Sequence, residues 1–186
     1  MTSALATLAM AALAQAPAAR ILAVNPSTST LGYAIVHKLH KVDGASHSVE
    51  GKVALLADGR IQVMVRAPVA SFKSGDANRD EHMAEVLETG KYSHVTFKGV
   101  ATASPPATFP SAQDLSLQGV LELHGRKHPE TLPLKIEWLS ATEARVKASF
   151  PVSLDAYEVE RPSLLFIKID DACVITADLA LKEEGK

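Results

Sequence analysis

Gln113-Asp114-Leu115-Ser116-Leu117-Gln118-Gly119-Val120-Leu121-Glu122-Leu123-His124 is the stretch that decides the fold class. Leu115, Leu117, Gly119, Leu121 and Leu123 occupy alternate positions, and Gln118 and Glu122 fall between them. Successive side chains of a strand point to opposite faces, so this period makes one buried face and one wet face. A helix would need spacings of three and four.

The same alternation recurs in both directions along the chain. Leu31, Tyr33, Ile35 and Leu39 alternate with Gly32, Ala34 and Lys38, and Val49, Val53 and Leu55 with Glu50, Lys52 and Ala54. Ile61, Val63 and Val65 follow, then Val95 and Phe97, then Leu132, Leu134, Ile136 and Trp138. Ala144, Val146, Ala148 and Phe150 come next, and Leu165, Ile167 and Ile169 close the series. Eight strands are predicted, over 31–42, 46–57, 60–69, 94–103, 113–124, 130–139, 143–153 and 164–181. Asp43-Gly44, Asp58-Gly59, Pro105-Pro106, Gly125 and Ser140-Ala141-Thr142 supply turn signals between most of them. Short, evenly spaced strands with one apolar face predict an all-β, eight-stranded antiparallel barrel or a sandwich.

One segment breaks the period. Asp76 to Glu88 has helical spacing, with Met83, Val86 and Leu87 on one face. Asp76 is placed to cap its start, and Gly90 stands just past its end. A helix over about 76–88 is therefore inserted in the all-β chain and predicted to cover one end of the barrel or pack on its wall.

Composition narrows the function. The chain has 186 residues, enough for one domain, and a net charge of -2. A chain without basic excess releases few counterions from a phosphate backbone, so nucleic acid is not expected as a partner. Cys173 is the single cysteine, so no intrachain disulfide forms. Ala4 to Ala14 is nearly all apolar, too short to span a bilayer, and followed by A-x-A patterns ending at Ala14 and Ala16. It reads as a signal peptide over residues 1–16, with the mature domain at 17–186 in the periplasm or secreted. The n-region lacks Lys and Arg, so a buried or frayed N-terminal helix is the competing reading.

The chemistry-bearing residues are sparse. Seven histidines invite a metal reading, and His37 and His40 stand three apart. On one continuous strand that spacing points them to opposite faces, which removes the pair as a bidentate site. His37 shares a face with Tyr33 and Ile35, where it meets either a structural partner or the polar end of a ligand. Arg79-Asp80-Glu81-His82 is the densest polar cluster and is expected to anchor the helix. Cys173 reads as an apolar filler and Phe72 as a plug for the barrel mouth. No nucleophile elbow, phosphate loop or catalytic triad spacing is present, so no catalytic residue, metal or cofactor is expected.

Several motifs together resemble the YceI-like family of exported, lipocalin-like, polyisoprenoid-binding proteins. Asn25-Pro26-Ser27-Thr28-Ser29 followed by Leu31, Tyr33, Ile35 and His37 is similar to the family's opening. Arg79-Asp80-Glu81-His82-Met83 is similar to its R-D-x-H motif, and Lys91-Tyr92-Ser93-His94-Val95-Thr96-Phe97 to its K-Y-P motif. Gly119 to Pro129 matches a third, with Leu121, Leu123, His124 and Gly125 in register. Asn25 replaces an acid, Thr28 a histidine and Ser93 a proline. The resemblance covers about Asn25 to Leu181. It implies a barrel with a lipid tail along its axis, and an isoprenoid or other long-chain lipid as partner.

On that reading Tyr33, Ile35, His37, Val63, Val65, Phe97 and Leu117 face the ligand. Leu121, Ile136, Trp138, Val146, Phe150 and Ile167 complete the lumen, and Ala144, Ala148 and Gly119 leave room. A homodimer and transient membrane contact are compatible with the sequence. The competing functions are a His-dependent metal or redox accessory protein and a ligand-free stress or interaction barrel.

Overall fold

The computed structural model describes residues 20–37, 40–103, 105–161, 163–164 and 167–185. The strands are β1 (Arg20–Val24), β2 (Thr30–His37), β3 (His40–Ser46), β4 (Glu50–Leu55), β5 (Arg60–Pro68) and β6 (His94–Thr102). They continue with β7 (Ser111–Leu123), β8 (Arg126–Trp138), β9 (Glu143–Ser153), β10 (Ser163–Leu164), β11 (Ile167–Lys168) and β12 (Ala172–Glu183). Helix α1 (Ala77–Val86) lies between β5 and β6.

The order β1-β4-β5-β6-β7-β8-β9-β12 closes through the β12–β1 pairing into an eight-stranded antiparallel barrel. The hairpin β2–β3 extends one wall, and β2 takes the place of β1 against the first half of β12. A 3-10 turn (Pro26–Thr28) joins β1 to β2. Across it, Val24 to Thr30 faces only Leu181 to Asp178, so the turn is extra chain in the wall. Asn25 caps the turn by accepting from the Ser27 N–H. The buried Ser29 hydroxyl accepts from the Ala180 N–H at 2.9 Å, repairing the ladder where the turn interrupts it.

Four sequence expectations are corrected. The run 31–42 is not one strand: His37 and His40 are cross-strand partners in the β2–β3 hairpin, so the opposite-face argument for them does not apply. Asp43-Gly44 is not a turn but lies inside β3. Gly44 stands opposite Tyr33, and a Cβ there would sit 2.6 Å from the Tyr33 ring, so glycine is needed for the close approach. β1 is a further strand, outside the eight predicted ones. The last predicted strand, 164–181, is interrupted: its start forms the small β10–β11 hairpin, and β12 begins only at Ala172.

The helix falls where its caps predict. The Asp76 carboxylate accepts from the Arg79 N–H at 3.0 Å. Its C-terminal end differs: Glu88, not Gly90, adopts the left-handed conformation at φ 45°, and the Thr89 N–H closes back on the Ala84 carbonyl.

The barrel's two ends are built differently. At one end Leu55–Arg60 and Trp138–Glu143 are tight reversals, and buried Leu22, Leu55, Trp138 and Ala144 fill the interior. At the other end lie the two long connections, 69–93 carrying α1 and 154–171 carrying β10 and β11.

Candidate functional site

Inward residues of nearly every strand enclose a cavity of about 350 Å³. Its wall is almost wholly apolar. Tyr33, Ile35, Val63, Val65, Phe97, Leu117, Leu121, Ile136, Val146 and Phe150 line it. Trp138 does not: it sits in the filled end, beside Ala144 in the β8–β9 pairing. Its indole N–H has no hydrogen-bond partner among the described residues, so the side chain serves there as bulk. The side chains of His37 and Ile167 lie outside the described residues.

The small residues make room unequally. Ala148 lines the cavity. Gly119 does not add space, because the Phe97 ring lies over it and over its partner Gly99. The ring stands within 2.6 Å of where a Gly119 Cβ would be. Ala144 belongs to the filled end.

β12 contributes Cys173, Ile175, Ala177, Leu179 and Leu181 to the lining, and sequence reasoning singles out only Cys173 among them. The signal is present, since these residues alternate with Val174, Thr176, Asp178 and Ala180. Burial pushes the Cys173 thiol up to about 11, so it remains a neutral wall group at neutral pH.

The helix forms a lid. Met83, Val86 and Leu87 face the cavity, with Arg79 and His82 beside them, and Phe72 packs at a tilt 6.0 Å from Tyr33. The Arg79-Asp80 pair does anchor α1, but both side chains meet on Ser74 rather than on each other. Asp80 accepts from the Ser74 N–H at 2.9 Å and the Ser74 hydroxyl at 2.7 Å. Arg79 donates to the Ser74 hydroxyl and carbonyl. The Ser74 bonds to Asp80, with Lys73 nearby, hold its carboxyl below the ordinary range. Lys73 in turn pairs backbone to backbone with Ala45 of β3, at 2.8 and 3.0 Å. The lid is thus tethered through a short loop to the barrel wall. Burial first, and then the Asp80 carboxylate, push the Tyr33 phenol up.

A second cover comes from the 154–171 connection, with Leu154, Val159, Ile169 and Glu160 on the cavity. Tyr157 is fully buried and donates to Glu130 at 3.1 Å. Its phenol is pushed up by burial and then by Glu130. The His128 ring packs against it edge-on at 4.7 Å. His124 joins the two covers: Nδ1 lies 3.1 Å from the Tyr157 carbonyl and Nε2 3.3 Å from Glu88 at the end of α1.

Histidines 47, 82, 94, 124 and 128 each have such local hydrogen-bond, ion-pair or ring partners. Among the described residues no three His, Cys, Asp or Glu side chains converge as a metal site. No described helix is long and apolar enough to cross a membrane.

The family model of the YceI-like domain matches residues 22–181. No curated protein matches the sequence significantly. Among solved structures, a polyisoprenoid-binding domain from Saccharophagus degradans implicated in plant cell wall breakdown superposes with a TM-score of 0.71. Identity is 18%, over 88% of this chain and 98% of that one. BcnA of Burkholderia cenocepacia gives 0.68 at 19% identity, over 84% and 98% of the two chains. The YceI protein of Campylobacter jejuni gives 0.60 at 12%, over 81% and 90%. At these identities the likeness is one of fold.

Proposed function

This chain belongs to the YceI-like family, and from that premise we propose that its barrel binds a long-chain apolar lipid, a polyisoprenoid first among the candidates. The observation that carries the reading is the cavity: about 350 Å³, within the range of ligand pockets, with an apolar wall. Each CH₂ moved from water into such a wall contributes ~0.8 kcal/mol, so a long tail is held without any polar partner inside. The polar groups on the lining are Tyr33, Arg66, Arg79, His82 and Glu160, with the Cys173 thiol. We assign the ligand's polar end to the mouth near Tyr33, Arg79 and His82.

On this reading the protein is a binder with no resident cofactor or metal, not a catalyst. It carries or stores the lipid after export, with residues 1–16 removed. The likeness to the Saccharophagus domain, itself a polyisoprenoid-binding domain, supports the choice of ligand.

Purification from an exporting host, followed by intact-mass measurement and solvent extraction with mass spectrometry, tests it. One lipid per chain on a shortened polypeptide is expected. A lipid-free protein that also takes up no added polyprenyl alcohol or quinone would overturn the binding reading. An uncut N-terminus would overturn export.

A further inference from the structure

Resting on the lipid-binding reading, we infer that the cavity is closed at one end by a floor of Leu22, Leu55, Trp138 and Ala144, which limits the length of hydrocarbon tail it accepts.

Depth comes from the strands. The lining runs from Leu115 to Leu123 on β7 and from Cys173 to Leu181 on β12. Each stretch is ~27 Å of strand at ~3.3 Å per residue, or ~20 Å along the axis of a barrel with strands tilted by ~40°.

Length follows from the same depth. An extended chain advances ~1.3 Å per carbon, so ~16 chain atoms, the backbone of about four isoprene units, span the cavity.

What ends the cavity is the filled end of the barrel. Leu22, Trp138 and Ala144 are at most 1% exposed, and Leu55 is 6% exposed. None of the four lines the cavity. Trp138 occupies that place by volume, with no hydrogen bond among the described residues to justify an indole. Just above the floor lies Ala101, which does line the cavity and is the small residue through which the floor can be raised.

Native mass spectrometry of delipidated protein with saturated fatty acids of stepwise increasing length measures this. Affinity is expected to rise about fourfold per CH₂ and to stop rising near ~16 carbons. Ala101→Leu should move that break to shorter chains and Trp138→Leu to longer ones, each by about two to four carbons. Circular dichroism reports folding, and Ala101→Leu carries the test if Trp138→Leu does not fold. A break that stays in place in folded Ala101→Leu would overturn the floor. Uptake of no lipid by the unaltered protein would instead defeat the binding reading itself, and this inference with it.

Discussion

One end of this barrel is sealed by side chains and the other by chain segments. At the sealed end, Leu22 and Trp138 are almost completely buried, and the β4–β5 and β8–β9 reversals are tight. At the mouth, α1 and the 154–171 connection lie over the cavity and are held by polar contacts: Asp80 and Arg79 on Ser74, Tyr157 on Glu130, His124 between the two covers. Apolar packing is non-directional and resists removal as a unit, whereas hydrogen-bonded segments open locally at lower cost. The difference separates an end that stores stability from the end through which the proposed ligand would enter.

The comparison breaks most visibly at the sealed end. Trp138→Ala should lower the unfolding free energy by about 3–5 kcal/mol, since it removes a large buried side chain and leaves a cavity. Leu22→Ala should cost about 2–5 kcal/mol for the same reason. Urea titration measures both. A loss under about 1 kcal/mol would mean that this end is not a packed floor.

At the mouth the expected losses are smaller. Tyr157→Phe keeps the ring against His128 but removes the bond to Glu130. A hydrogen bond to a charged acceptor is worth about 1.5–3 kcal/mol, and the lower figure applies because Glu130 is only partly buried. Thermal unfolding should show a modest shift. Hydrogen exchange should rise in the 154–161 segment ahead of the barrel strands.

How far this contrast is legible in the sequence depends on what alternation can encode. Period two identifies the inward face of β5 to β9 and therefore most of the lining. It does not encode height along the axis, which is set by register between strands. Hence Trp138, correctly inward, reads as a ligand contact although β8 carries it down to the floor. Gly44 shows the same limit. Beside Asp43 it looks like a turn, and only its pairing with Tyr33 across the hairpin explains it as mid-strand. β1 escapes such a reading because Ile21 and Ala23, which flank the buried Leu22, are apolar as well, so nothing alternates, and the extra turn at Pro26–Thr28 separates the strand from β2.

The motifs are legible as letters before their purpose is. Arg79-Asp80, Lys91-Tyr92 and His124-Gly125 are far apart in sequence, yet all three lie at the mouth. Gly125 has φ 70°, and Tyr92 packs over it where a Cβ would stand 2.3 Å away. Tyr92 also meets His124 edge-on at 5.2 Å. These residues hold connections in place over the opening, a task that needs directional contacts and hence particular residue types. The floor needs only volume, and its residues form no motif.

The smallest change in global stability, and the sharpest test of the contrast, is at Asp80. Its carboxyl is held below the ordinary range by bonds from the Ser74 hydroxyl and N–H, with Lys73 and Arg79 adding to them. A carboxylate whose folded value is depressed stabilises the folded arrangement above its unfolded value of ~3.9, and that stabilisation is lost as pH falls through the folded value. The lid tether should therefore hold from neutral pH down to about pH 4 and loosen in stronger acid. Asp80→Asn keeps an acceptor oxygen but loses the charge. It should leave the urea midpoint almost unchanged while exchange of the Ser74 and α1 amides rises several-fold at neutral pH. Lipid release from the loaded protein should quicken in parallel, and both the release rate and the lid's opening equilibrium, taken from exchange corrected for the intrinsic pH dependence of amides, should lose their acid dependence. If Asp80→Asn instead unfolds the barrel, the lid is part of the stabilising core, and the division between a packed floor and a tethered mouth is wrong.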